Sequence, residues 1–113
     1  MPQLKSRAQL RARARLFAAL GDETRLALLA RLSGGELRSI AQLTQGSRLT
    51  RQAITKHLRV LQAAKVVRCT RAGRESLFAF NPEPILTLQQ YLALVSNQWD
   101  DALTRLKHLA EDS

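Results

Sequence analysis

The chain has 113 residues, 18 of them Lys or Arg against 9 Asp or Glu, for a formal charge of +9. That length suits one domain with a modest core, and the charge favours a polyanionic partner while leaving the fold open. A lone cysteine, Cys69, excludes an intrachain disulfide and a single-chain thiolate metal cluster, and no signal-like or bilayer-spanning apolar run is present, so the expectation is a soluble cytoplasmic protein without a membrane partner.

The excess charge is unevenly placed. Residues 1–81 carry 16 basic and 4 acidic side chains, whereas 82–113 carry 2 and 5. Such a split suggests a basic binding body followed by a segment with another task.

Residues 4–20 read as a first helix with apolar positions at Leu4, Ala8, Leu10, Ala14, Phe17, Ala18 and Leu20, decorated by Lys5, Arg7, Arg11, Arg13 and Arg15. Gly21 closes it and Asp22 caps a second helix, whose expected inward residues are Leu26, Leu29, Ala30 and Leu32 or Ser33. A short third helix covers about 39–45, with Ile40 and Leu43 inward, and 46–49 form a Gly-bearing turn.

Thr50 then caps a helix over 50–64. Ala53, Ile54, Leu58, Leu61 and Ala64 fall three or four apart and form one apolar stripe, with Arg51, Gln52, Thr55, Lys56 and Arg59 opposite. The outward face has no carboxylate to pair with its cations, unlike an ordinary surface helix. Arg and Gln near a helix N-terminus also carry the donors and acceptors that pair bidentately with guanine and adenine edges. A helix, a short turn and such a helix make a helix-turn-helix. His57 lies beside the inward stripe and is read as a packed, hydrogen-bonded histidine.

Two β-favouring runs, 66–71 and 75–80, flank Ala72-Gly73-Arg74 as a hairpin, or wing, with Arg71 and Arg74 at its tip and Arg68 at its near end. Cationic wings reach phosphates or the minor groove. Cys69 is expected to be packed, with Arg68 and Arg71 on the opposite strand face.

Asn81-Pro82-Glu83-Pro84 restarts the chain, and one long helix is expected from Ile85 to about Ala110. Ile85, Leu88, Leu92, Val95, Trp99, Leu103 and Leu106 repeat in steps of three and four, a longer stripe than a domain this small can cover. A homodimer through the first and last helices accounts for it, with Leu10, Phe17, Leu88, Leu92, Val95, Trp99, Leu103 and Leu106 at the interface. The fold class is therefore mainly α with a small β-hairpin (α+β). It is a winged helix-turn-helix occupying 1–113 as a single domain, with 1–20 and 83–110 as dimerisation helices.

Two stretches, Leu16-Phe17-Ala18-Ala19-Leu20-Gly21-Asp22-Glu23-Thr24-Arg25-Leu26-Ala27-Leu28-Leu29 and Arg51-Gln52-Ala53-Ile54-Thr55-Lys56-His57-Leu58-Arg59-Val60-Leu61-Gln62-Ala63-Ala64, resemble the entry and recognition segments of the ArsR family of bacterial winged-helix repressors. The resemblance covers about 14–110. Lys65 departs from it, standing where the family often has Gly. Membership implies dimeric operator binding with release by an inducer, often a metal. The family's metal ligands do not carry over: Leu37-Arg38-Ser39-Ile40 replaces the cysteine pair, and His108-Leu109-Ala110-Glu111 has no Asp-x-His counterpart at Val95-Ser96-Asn97. No metal or cofactor is expected; the expected partners are double-stranded operator DNA and a second copy of the chain, and the resemblance implies an inducer, for which a small molecule is one candidate.

The expected function is a sequence-specific transcriptional repressor. Arg51 and Gln52 read bases; Thr55, Lys56 and Arg59 mix base and phosphate contacts; Arg48, Arg71 and Arg74 hold phosphates, and Thr50 belongs to the same DNA-binding surface. The alternative is a sequence-neutral DNA- or RNA-binding architectural protein, disfavoured because the aromatic residues sit at core-like positions rather than as stacking platforms. No nucleophile–base–acid set, phosphate loop or paired carboxylate indicates an enzyme; Asp100 and Asp101 read as solvated charge.

Overall fold

A computed structural model describes residues 6–112. Leu4 and Lys5 lie outside the described residues. The elements run α1 (Arg7–Leu20), α2 (Glu23–Leu32), β1 (Arg38–Ser39), α3 (Ile40–Thr44), α4 (Arg51–Ala63), β2 (Val67–Ala72), β3 (Glu75–Phe80) and α5 (Glu83–Glu111). The mainly helical winged helix-turn-helix expected from the periodicities is the observed fold.

Helix α1 buries Leu16 and Ala19, while Leu10 and Phe17 remain 45% and 44% exposed. Leu10 and Phe17 are seven apart and share a second face about 100° round from Leu16. In α2, Asp22 accepts a hydrogen bond from the Arg25 amide at 3.0 Å and caps the helix as expected. Its inward stripe differs from the expected one: Leu28, Leu29 and Leu32 are buried, and Leu26 is 51% exposed. The run Leu26-Ala27-Leu28-Leu29-Ala30 permits either rotation on hydrophobicity alone. In the observed one Leu28, Leu29 and Leu32 join the core, and Arg25 bonds the end of α1.

The two-residue strand β1 was not apparent in the sequence. It pairs antiparallel with β3, Arg38 opposite Phe78 and Ser39 opposite Leu77, giving a sheet of order β1-β3-β2. Ser39 ends the strand and starts α3 through a capping box: its hydroxyl accepts from the Gln42 amide, and the Gln42 side chain accepts from the Ser39 amide. The hairpin tip tightens to Gly73-Arg74, since Ala72 pairs with Glu75 inside the ladder and Gly73 takes φ +63°.

Beyond Val67 every residue of β2 is exposed, and this corrects the reading of Cys69 as packed. The strand is the outer edge of the sheet, and Cys69 stays exposed there although it pairs with the buried Phe78. Alternation along the strand also puts Arg71, two residues on, on the same face as Cys69.

Val66 and Val67 join Leu32, Leu43, Ile54, Leu58 and Leu61 as the fully buried centre of the core. The chain enters β2 through Lys65, which has φ +67°. This is the left-handed conformation that closes a helix, with the Val66 amide donating to the Leu61 carbonyl and the Lys65 amide to that of Gln62. Asn81, itself buried, holds the same turn: its side-chain amide donates to the Lys65 carbonyl at 2.8 Å and its backbone amide to that of Val66. Asn81 Oδ1 also accepts from the Glu83 amide at 3.4 Å, so one side chain joins the end of α4 to the start of α5.

Helix α5 begins at Glu83 and leaves the body almost at once. Leu88 is its one buried residue, with Ile85 and Tyr91 packed beside it; Leu92, Trp99, Leu103, Leu106 and Leu109 are 45–69% exposed. The radius of gyration is 19.0 Å, against about 13 Å for a compact chain of this length.

A β-carbon in the left-handed region costs ~1–2 kcal/mol, partly offset by glycine's greater entropy loss on folding. Lys65→Gly is therefore expected to stabilise the protein by about 0.5–1 kcal/mol, raising Tm by a few degrees in a thermal melt at fixed protein concentration. A lower Tm would mean that the lysine side chain contributes more than its backbone strain removes.

Candidate nucleic-acid interface

The stripe foreseen for α4 is the one that packs: Ile54, Leu58 and Leu61 are buried, with Ala53 and Ala64 half-buried at its edges. Their seating turns Arg51, Gln52, Thr55, Lys56 and Arg59 outward, where they line one shallow trough. Arg51 and Arg74 also share a second hollow, walled by Ser39 and Ala41 and bearing one carboxylate, Glu75. The wing tip and the N-terminal end of α4 thus meet over the start of α3. Arg48, in the turn before α4, and Arg71, on β2, are exposed.

Two hydroxyls of this surface are already engaged. Thr50 accepts from the Ala53 amide at 3.1 Å as the helix cap, and Thr55 donates to the Arg51 carbonyl at 2.7 Å. Thr55 keeps lone pairs as an acceptor but no hydroxyl hydrogen, whereas Arg51, Gln52, Lys56 and Arg59 project free donors. Among the described residues the ion pairs are Arg38–Glu36, His57–Asp22 and Arg68–Glu83. None involves Arg48, Arg51, Lys56, Arg59, Arg71 or Arg74. Arg68 is drawn 3.8 Å from Glu83 at the base of the wing, away from its tip.

His57 is packed and bonded as expected: its Nδ1 lies 3.3 Å from Arg25 Nη1 and 3.8 Å from Asp22 Oδ2. Arg25 also donates through Nε to the Ala19 carbonyl at 2.7 Å and through Nη2 to that of Ala18 at 3.1 Å. One guanidinium therefore satisfies the last carbonyls of α1 while holding α4 beside it. The Asp22 carboxyl is held below its ordinary value of 3.8, first by the Arg25 amide hydrogen bond and then by the Arg25 and His57 charges, against some desolvation. Arg31 does similar work on α3, donating to the carbonyls of Leu43 at 2.6 Å and Gln42 at 3.0 Å. Both arginines were missed as positioning residues. For Arg25 the signal was present: a cation in the first turn opposes the helix dipole, which is tolerable where it has a tertiary partner.

A family profile described as a helix-turn-helix domain matches residues 20–70. The chain is 31% identical over 97 residues to the HTH-type transcriptional regulator Rv2034 of Mycobacterium tuberculosis, covering 86% of this chain and 87% of that protein. It is 39% identical over 79 residues to the HTH-type regulator YuzN of Bacillus subtilis, covering 65% and 86%. Among solved structures, an ArsR-like transcriptional regulator from Rhodococcus sp. RHA1 superposes with a TM-score of 0.86 at 32% identity, covering 96% of this chain and 98% of that one. The chain belongs to the ArsR family.

It is accordingly a DNA-binding transcriptional regulator of the helix-turn-helix type, not an enzyme. Among the described residues no group of three or more His, Cys, Asp and Glu side chains is placed to hold an ion, and His108 and Glu111 are exposed on α5. No described helix is long and apolar enough to cross a membrane.

Because Arg25 acts through a planar fork that an ammonium cannot reproduce, Arg25→Lys is expected to destabilise the chain by ~1–3 kcal/mol. Urea unfolding should show a lower midpoint at unchanged slope. A wild-type midpoint would show that the guanidinium contacts add nothing to stability.

Proposed function

We propose that this ArsR protein is a homodimeric, sequence-specific repressor released from its operator by an inducer. The observation that carries the reading is the face of α4: its cations are exposed, unpaired by any carboxylate among the described residues, and continuous with the arginines of the wing. Arg51 and Gln52 read base edges in the major groove. Thr55, Lys56 and Arg59 divide between bases and phosphates, while Arg48, Arg71 and Arg74 hold phosphates, with Thr50 setting the helix start.

The uncovered apolar faces support the dimer. Leu10 and Phe17 on α1, and Leu92, Trp99, Leu103 and Leu106 on α5, together leave more apolar surface in water than a soluble monomer usually tolerates. Val95, half-buried, lies along the same face of α5. Leu88 is packed in the chain's own core, so the interface on α5 begins near Leu92. In this arrangement 1–113 is one domain, and 1–20 with 83–110 pair the subunits. Two-fold symmetry then presents the α4 helices to grooves one helical turn apart.

Gln52→Ala is expected to weaken binding to a selected operator duplex by ~1–3 kcal/mol, relaxing preference at one base position. Fluorescence anisotropy on operator and shuffled duplexes checks this, and equal losses on both would refute the base-reading role. Arg71→Ala is expected to lower affinity for both duplexes alike and to flatten the slope of log affinity against log salt by about one unit. An unchanged salt slope would remove Arg71 from the phosphate contacts.

A further inference from the structure

A cleft of about 400 Å³ opens where α1, the end of α4 and the start of α5 converge. Its apolar wall includes Ala12, Leu16, Pro84 and Leu88, and its polar lining includes Arg13 and Lys65. The volume falls in the range of small-molecule sites, and the mixture of apolar wall and few polar groups is their usual chemistry.

Arg13 is the unusual member. Its guanidinium carbon lies 4.3 Å from the centroid of the Tyr91 ring, a cation–π contact that ties α1 to α5. Its Nε and Nη1 are withdrawn from solvent and have no hydrogen-bond acceptor among the described residues. Guanidinium donors removed from water without an acceptor are destabilising, and a carboxylate is their strongest complement. The cleft's other charges are Lys65 and Glu83, and Glu83 already faces Arg68 at 3.8 Å. The lining is therefore cationic overall, above an apolar floor.

We propose that this cleft binds a small organic acid with an apolar body, its carboxylate on Arg13 and Lys65, and that this acid is the inducer. The second half rests on the reading of the chain as an inducible repressor. Position supplies the link. Lys65 is the turn that ends the α4 segment, and its carbonyl is held by Asn81 at the head of α5. The other walls are α1 and α5, the helices with uncovered apolar faces. A ligand seated there touches both the recognition helix and the helices that set subunit geometry, so it favours whichever arrangement fits it better.

The test is calorimetric titration of the full chain with phenylacetate, benzoate and hexanoate, each beside its neutral amide, and with inorganic phosphate at matched ionic strength. Anisotropy on a selected duplex follows with and without the same compounds. At least one acid is expected to bind ~10-fold or more tightly than its amide, as one charged hydrogen-bonded contact implies, and to shift duplex affinity ~5-fold or more. Arg13→Met should abolish the acid-over-amide preference, and Lys65→Asn, which tolerates the left-handed backbone, should reduce it. If Arg13→Met fails to melt cooperatively, Ala12→Phe, which fills the cleft from an exposed helix position, must abolish binding instead. No binding by any acid, equal binding of acid and amide, phosphate binding as tightly as the acids, or a preference that survives these variants overturns the site. Acid binding with unchanged duplex affinity overturns the inducer role alone. Acid binding by a chain that selects no duplex leaves the site standing and sinks the repressor reading.

Discussion

Ile54, Leu58 and Leu61 lie fully buried beneath α4 and set the helix's rotation about its own axis. At about 100° per residue, a slip of one position would carry a leucine into water and a cation toward the core. The apolar stripe therefore does two things at once: it closes the core, and it fixes which side chains face outward. Arg25 adds a polar lock at the same place, joining the last carbonyls of α1 to His57 of α4. The wing depends on this seating as well, because Lys65 and Asn81 fasten β2 and α5 to the end of the same helix.

Features dictated by strong local periodicity were legible in the sequence. The α4 stripe, the caps at Asp22 and Thr50, the hairpin and the long α5 all follow from short-range spacing and turn chemistry. What escaped was decided by tertiary partners. Strand β1 is two residues long and exists because β3 lies beside it. Leu26 and Leu28 are hard to separate by periodicity in a Leu/Ala-rich helix, and the tertiary packing that buries Leu28 with Leu29 and Leu32 separates them. Cys69 sits in an alternating strand that would normally have a buried face, yet that strand is the outer edge of the sheet and its residues beyond Val67 are exposed. Arg51, Gln52, Lys56 and Arg59 were legible as outward residues because they oppose a clear stripe; the Thr50 cap was legible as well, whereas the bond from the Thr55 hydroxyl to the Arg51 carbonyl was not.

The uneven charge along the chain matches this division of labour. The basic residues gather on the body that carries α4 and the wing. Helix α5 carries instead an apolar face that its own chain leaves uncovered beyond Tyr91, with Asp100 and Asp101 exposed on it. Helix α1 serves both parts, with Leu16 and Ala19 in the core and Leu10 and Phe17 turned away from it. Arg13 and the cleft it lines stand where the two parts meet, so the contact between α1 and α5 is also a place where a small ligand can bear on α4.

Selection of duplexes from a random pool by the full chain tests the central claim most directly, because it reads sequence preference and symmetry together. The account requires the enriched duplexes to share an inverted repeat with half-site centres about 10 base pairs apart, one turn of DNA. Enrichment of a single unrepeated half-site, or no enrichment above the starting pool, would contradict it.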